Sequence, residues 1–310
     1  IETIDLREQM KTKQMQSIFA APLIEQLQKS IEKGEQAILF QNRRGYAPML
    51  ECQVCGWNAQ CRHCDVSLTF HKHTNRLRCH YCGYTQAVMP ACGACGSHEL
   101  QQKGLGTERI EEDLKTMFPA AKIGRMDYDT VRSKHGHNKI IEAFEEGEFD
   151  ILVGTQMVTK GLDFTNVSLV GVLNADALLF YPDFRAMERA YQLLLQVSGR
   201  AGRREKRGKV MIQIGNVHHV IANYILEGNY EDFYQAQLQE RKQFHYPPYS
   251  RLIQLTVKHK DIKTTIEAAN KVADYLHTKY SGWVVGPNAP IIQKINNYYL
   301  RDIMVKIPIS

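Results

Sequence analysis

Apolar residues recur along this chain in two rhythms, and the exchange between them lays out most of its elements. Leu23, Ile24, Leu27 and Ile31 return at helical spacing, which predicts an amphipathic helix over 22–33, stopped by Gly34. Ala37-Ile38-Leu39-Phe40 is apolar at every position, as a strand covered on both faces of a parallel sheet is. The same patterns predict a helix over 110–118, a strand over 122–126, a helix over 139–146 and strands over 150–153 and 167–173. A helix over 184–198 and a strand over 209–215 follow. Such alternation predicts a doubly wound, mainly parallel α/β sheet. Residues 1–14 give little pattern. Beyond about 227 the style changes to a polar helix over 230–244, broken at His245-Tyr246-Pro247-Pro248-Tyr249. A half-buried strand over 252–257, a helix over 262–279, a strand over 283–285, a turn over 287–290 and a last strand over 298–307 predict a small antiparallel α+β domain.

One stretch interrupts the alternation and holds all eight cysteines, in four C-x-x-C pairs: Cys52/Cys55, Cys61/Cys64, Cys79/Cys82 and Cys92/Cys95. Four such pairs make two tetrahedral thiolate sites, and zinc is the default ion. Gly56, Gly83 and Gly96 each follow a pair and ease the turn that aims two sulfurs at one ion. Each ion would supply roughly 10 kcal/mol or more of folding energy that a segment so poor in aliphatic residues lacks. Disulfides are the bland alternative, disfavoured because no signal peptide is present. An iron–sulfur cluster is the other, and the spacing looks more like zinc ribbons. Three pairings are open. Nesting is preferred: Cys61, Cys64, Cys79 and Cys82 on one ion, Cys52, Cys55, Cys92 and Cys95 on the other. The inner spacing is close to a ribbon's, and nesting brings the segment's ends together, as an insertion into a host domain requires. His63, His71, His73 and His80 lie nearby, but eight sulfurs leave them no ligand position. Both ions are expected to be structural.

Length and charge add a little. With 310 residues the chain is long enough for roughly two domains. No apolar run reaches membrane-spanning length, so a soluble protein without a membrane partner is expected. Net charge is +6, a mild lean toward a polyanion. Its distribution says more, since 199–209 holds six basic residues and one acid.

The loops after the predicted strands carry the remaining chemistry. Gln41-Asn42-Arg43-Arg44-Gly45-Tyr46 is a basic loop at the carboxyl end of a buried strand, where open α/β sheets place ligands. Taken alone it is better read as an ordinary turn. Arg200 and Arg203, three apart in Gln196-Val197-Ser198-Gly199-Arg200-Ala201-Gly202-Arg203, would point the same way on a helical turn. Two fixed guanidinium charges on one spot suit a polyphosphate and the charge that builds during phosphoryl transfer. The bland readings are a basic helix end or a grip on DNA phosphate.

With these residues in view, the chain resembles superfamily 2 helicases. The segment from Gln196 to Arg203 is similar to their motif VI, and Gly154-Thr155-Gln156 with Lys160-Gly161 and Asp163 to motif V. Asn42 to Tyr46 looks like the start of the second motor lobe. A double zinc segment inserted there, followed by Gly106-Thr107-Glu108-Arg109 and Asp127-Tyr128-Asp129-Thr130, resembles the PriA family of replication-restart helicases. The resemblance covers nearly the whole chain.

It implies a RecA-like second helicase lobe at 1–50 and 97–226, a two-zinc insertion at 51–96 and a C-terminal α+β domain at 227–310. It implies that Arg200 and Arg203 face the ATP γ-phosphate, with Gln196 coupling nucleotide to DNA and Gly161 and Asp163 near the nucleotide. Many relatives differ at the position of Asp163. Thr155 and Gln156, on a loop with an open amide, would touch the DNA backbone, as would Lys160, Arg43, Arg44 and Thr107. Tyr298, Tyr299 and Arg301 are candidates to stack on single-stranded DNA, though core and edge tyrosines are the simpler reading.

No G-x-x-x-x-G-K-[ST] motif occurs, and no Asp-Glu pair follows a buried strand. ATP and Mg²⁺ are therefore expected only with a first lobe outside this chain, which reads as the C-terminal portion of a longer ATP-dependent 3′-to-5′ DNA helicase, inactive alone. Implied partners are branched and single-stranded DNA, single-stranded DNA-binding protein and primosome proteins. The expected protein is a monomer in the bacterial cytoplasm, associated with the nucleoid. The alternative is a non-motor zinc-ribbon DNA-binding or scaffold protein with a degenerate lobe. Whether the zinc segment grips DNA or docks proteins stays open.

Overall fold

The computed structural model describes residues 1–41, 49–71, 74–103, 106–127, 136–155, 164, 166–179, 183–199 and 208–309. The chain begins with β1 (Glu2–Asp5), α1 (Leu6–Lys11), a short hairpin of β2 (Met15–Gln16) and β3 (Phe19–Ala20), α2 (Ala21–Glu32) and β4 (Gln36–Phe40). Five short strands follow: β5 (Met49–Cys52), β6 (Thr69–His71), β7 (Arg76–Arg78), β8 (Thr85–Ala87) and β9 (Leu100–Lys103). Then come α3 (Thr107–Met117), β10 (Ile123–Met126), α4 (Gly136–Glu145), β11 (Ile151–Gly154), β12 (Val167–Val172), α5 (Asp176–Leu179), α6 (Ala186–Ser198) and β13 (Lys209–Ile214). The last elements are α7 (Val220–Glu227), α8 (Tyr230–Gln243), β14 (Ser250–His259), α9 (Ile262–Lys279), β15 (Val284–Asn288), β16 (Lys294–Ile295) and β17 (Tyr298–Pro308). They form two compact units, Ile1–Tyr46 with Leu105–Ala236, and Ala47–Gly104 with Gln237–Ser310.

The first unit is built on a six-stranded sheet in the order β1-β13-β12-β4-β11-β10. Every pairing in it is parallel. β4 is buried at all five positions, and its side chains alternate between two layers. Ala37 and Leu39 join Leu23 and Leu27 of α2 and Ile110 and Leu114 of α3. Ile38 and Phe40 join Phe144 of α4, Tyr191 and Leu194 of α6 and Ile221 of α7. The sheet is thus covered on both faces, which is why its strands read as unbroken apolar runs.

The N-terminal stretch that gave no pattern holds β1 and α1. β1 buries only Ile4, and α1 buries nothing, so neither leaves a period to read. Helices α5 and α7 were likewise not expected.

In the second unit, β5 and β9 pair antiparallel, Cys52 opposite Leu100, so the two ends of the cysteine segment meet. The C-terminal part is an antiparallel sheet, β14-β17-β15, with β16 on β17 and α9 packed on one face through Ala273 and Leu276. The turn expected over 287–290 is in part strand, since β15 runs through Pro287 to Asn288 with an irregular register after Val285. β15 is an edge strand, where a proline without an N–H is tolerated.

Candidate functional site

The four cysteine pairs fold as four similar knuckles. In each, the amide of the first cysteine donates to the carbonyl five residues on: Cys52 to Trp57, Cys61 to Val66, Cys79 to Tyr84 and Cys92 to Ser97. In three, a glycine follows the second cysteine at positive φ: Gly56 (72°), Gly83 (78°) and Gly96 (74°). Its amide donates back to the first cysteine's carbonyl at 2.8–3.0 Å. Glycine adopts that backbone at no steric cost, unlike most residues.

The knuckles bring the eight sulfurs into two groups, Cys52, Cys55, Cys92 and Cys95 in one, Cys61, Cys64, Cys79 and Cys82 in the other. Within each group the sulfurs lie within 4.8 Å of one another. Three cross-knuckle pairs, Cys52–Cys95, Cys55–Cys92 and Cys61–Cys82, are each 3.6 Å apart. That is too far for a disulfide and close to the edge of about 3.8 Å of a tetrahedron with Zn–S bonds of about 2.3 Å. Left to themselves the sulfurs compete for protons. Burial pushes the Cys64 thiol up to about 12 and raises Cys61 as well. Burial also opposes the Cys82 thiolate, but the Tyr84 amide and neighbouring thiols bring it down to about 6. A dication that displaces the shared protons satisfies all four sulfurs, so the donor set fits zinc. His63 Nδ1 lies 3.9 Å from Cys82 Sγ, and the His71 and His80 rings pack edge to face. The two metal-ligand groups among the described residues consist of cysteines alone. Around the inner group, Leu50, Leu68 and Leu77 make a small apolar core.

The carboxyl edge of the parallel sheet places part of the second set of residues. Thr107, expected to contact phosphate, is buried at the first turn of α3, and its hydroxyl donates to Asp127 Oδ2 at the end of β10. The Thr155 amide donates to the Met126 carbonyl, and Thr155 itself is buried. Gln196 is exposed in the last turn of α6. That helix runs to Ser198, with Gly199 as its cap. Arg43, Arg44, Gln156, Lys160, Gly161, Asp163, Arg200 and Arg203 lie outside the described residues. Tyr298 is exposed at the start of β17 with Lys258 and Lys260 near its ring, and Lys294 lies over Tyr299.

Two features of this edge had no counterpart in the sequence reading. Arg125 of β10 is gripped by Glu108 (3.1 Å) and Glu111 (3.4 Å) of α3 and by Asp127 (3.7 Å). These two α3 acids therefore tie that helix to the sheet edge. Gln41, directly after β4, is buried, and its carboxamide has no hydrogen-bond partner among the described residues. Only the third dimension brings these groups together.

Three family models match the chain: a PriA DNA helicase Cys-rich region domain over residues 61–86, a helicase conserved C-terminal domain over 104–205, and a primosomal protein N C-terminal domain over 242–310. Replication restart protein PriA of Bacillus subtilis (strain 168) is 43% identical over 308 residues, covering 99% of this chain and 38% of that protein. The protein of the same name from Haemophilus influenzae is 40% identical over 294 residues, 93% of this chain and 40% of that one. That of Synechocystis sp. is 38% identical over 315 residues, 99% of this chain and 38% of that one. The chain thus spans about two fifths of the length of these relatives.

Proposed function

Because this chain belongs to the PriA family, we propose that it is the C-terminal part of an ATP-dependent 3′-to-5′ DNA helicase that recognises branched or stalled replication forks and promotes replication restart. The observation that carries this reading is the insertion. Two four-cysteine groups sit between β4 and α3 of a parallel-sheet lobe whose 104–205 stretch matches a helicase C-terminal domain.

In this reading the sheet's carboxyl edge meets nucleotide and DNA. Arg200 and Arg203 neutralise charge that develops on the transferred γ-phosphate, and Gln196 couples that event to DNA. Gly161 and Asp163 line the nucleotide, while Arg43, Arg44, Gln156 and Lys160 grip the DNA backbone. Thr107 and Thr155 act indirectly, by fixing the ends of β10, β11 and α3. ATP and Mg²⁺ are held together with a first lobe that this chain does not contain. The two zinc ions are structural. Partners are branched and single-stranded DNA, single-stranded DNA-binding protein and primosome proteins. The protein works as a monomer in the bacterial cytoplasm, at the nucleoid. No helix among the described residues is long and apolar enough to cross a membrane.

The test is fork-stimulated ATP hydrolysis by the longer protein that contains this chain. Arg200→Ala and Arg203→Ala should each lower kcat by about a thousandfold while fork binding is retained. The 310-residue chain alone should show no turnover. Wild-type hydrolysis in either variant, or arginine-dependent turnover by the chain alone, would overturn the reading.

A further inference from the structure

The fourth knuckle departs from the other three. After Cys64 the chain places Asp65 where the others place glycine, and Asp65 is not at positive φ. In the glycine-bearing knuckles the second sulfur faces a local amide two residues on: Trp57 for Cys55, Tyr84 for Cys82 and Ser97 for Cys95. At Cys64 the amide comes from 232 residues away: Asn296 N–H donates to Cys64 Sγ at 3.2 Å.

Asn296 and Asn297 form the two-residue loop between β16 and β17, with Lys294 opposite Tyr299 and Ile295 opposite Tyr298. Both asparagines have positive φ, 49° and 65°, the backbone of a type I′ hairpin turn. The tip is held against the knuckle on both sides of the sulfur. The Asp65 amide donates to the Lys294 carbonyl at 2.9 Å, and the Asn297 amide donates to the His63 carbonyl at 2.8 Å. Ile295 packs into the apolar cluster around Cys61, Cys64 and Cys79. The Asp65 amide, which in the other knuckles is spent on a local turn, is here spent on the hairpin. The outer group has no such visitor among the described residues; the amides beside its sulfurs are local ones, such as Ala94 on Cys92 at 3.4 Å.

We propose that the β16–β17 hairpin tip is a built-in part of the inner metal site: Asn296 supplies the amide that the Cys64 knuckle lacks, and so ties metal retention there to the folded C-terminal α+β portion. This rests on the reading of the four-cysteine groups as zinc sites. An N–H bond to a metal-bound thiolate is charge-assisted and stronger than one to a thiol. The coupling is reciprocal: the hairpin slows loss of the inner ion, and the ion holds the hairpin.

Two measurements on the whole chain test this. The first is NMR of the ¹⁵N-asparagine-labelled, ¹¹³Cd-substituted chain. One asparagine amide proton, that of Asn296, should show scalar coupling to one of two bound cadmium ions. The second is zinc release to excess chelator. Release should be biphasic, with the inner ion slower. Replacing both tip residues by valine (Asn296→Val with Asn297→Val), which strains the left-handed turn, should speed the slow phase about tenfold and leave the fast phase alone. The Asn296→Gly, Asn297→Gly pair, which keeps the turn and its amide, should release as the unaltered chain does. Two bound ions with no coupled asparagine amide, or a slow phase indifferent to the valine pair, would overturn the proposal. Should the valine pair fail to fold, the NMR measurement on the unaltered chain decides. Fewer than two ions per chain would overturn the zinc reading itself, and this inference with it.

Discussion

Gln213 shows how much a single side chain inside an apolar strand can hold. It lies in β13, fully buried between Ile212 and Ile214. Its carboxamide accepts from the Ala20 amide at 2.8 Å and donates to the Ile18 carbonyl at 2.8 Å and the Leu173 carbonyl at 2.9 Å. It thereby fastens the β2–β3 hairpin to the sheet. Gln213→Leu leaves those three backbone groups without their partner, and should cost about 3 kcal/mol in a urea titration of the chain. An unchanged midpoint would show that the hairpin is held by other means. Nothing in the sequence marked Gln213, because its partners are far away along the chain. The same is true of Asn296. The cysteines, by contrast, were legible one by one, since a C-x-x-C pair is a local ligand set whose geometry follows from its own turn. Arg200 and Arg203 were read as chemistry from their spacing and charge, and both lie outside the described residues.

Among the elements, buried strands and amphipathic helices announced themselves through period, and the α9 bounds read from spacing are those of the fold. What escaped was short, marginal or unusual. β1 buries one residue in four, and the proline in β15 reads as a turn because its tolerance depends on an edge position invisible in sequence. β12 carries a further constraint. Gly171 faces α2 so closely that an added Cβ would stand 2.6 Å from Leu39 Cδ2 and 3.0 Å from Leu23 Cδ1. Gly171→Ala should therefore cost about 1–3 kcal/mol by overpacking the α2 layer, read from the urea midpoint. If Ala were tolerated at no cost, the α2–β12 packing described here would have to be looser than it is.

At the scale of the whole molecule, the fold class could be read because host and insertion use different physics. The parallel sheet is held by apolar layers on both faces, with β4 and Ile38–Phe40 at its centre. The cysteine segment has only a small apolar core around Leu68 and Leu77, and relies on its sulfurs. The sequence suggested a segment clipped between two lobe elements, and the β5–β9 pairing shows how its ends meet. It did not suggest that the segment would share a compact unit with the C-terminal strands, because the contact runs through a hairpin tip whose role depends on Asp65 replacing a glycine. Two zinc ions are expected to hold the cysteine segment and the β16–β17 tip, while the parallel-sheet lobe folds on apolar packing. The most direct measurement is metal content per chain, taken together with amide hydrogen exchange before and after chelation. Two zinc ions per chain are expected and, on their removal, loss of protection across 49–103 and 294–297 while β4, β11 and β12 keep theirs. Fewer than two ions, or loss of protection in the parallel sheet along with the cysteine segment, would contradict that expectation.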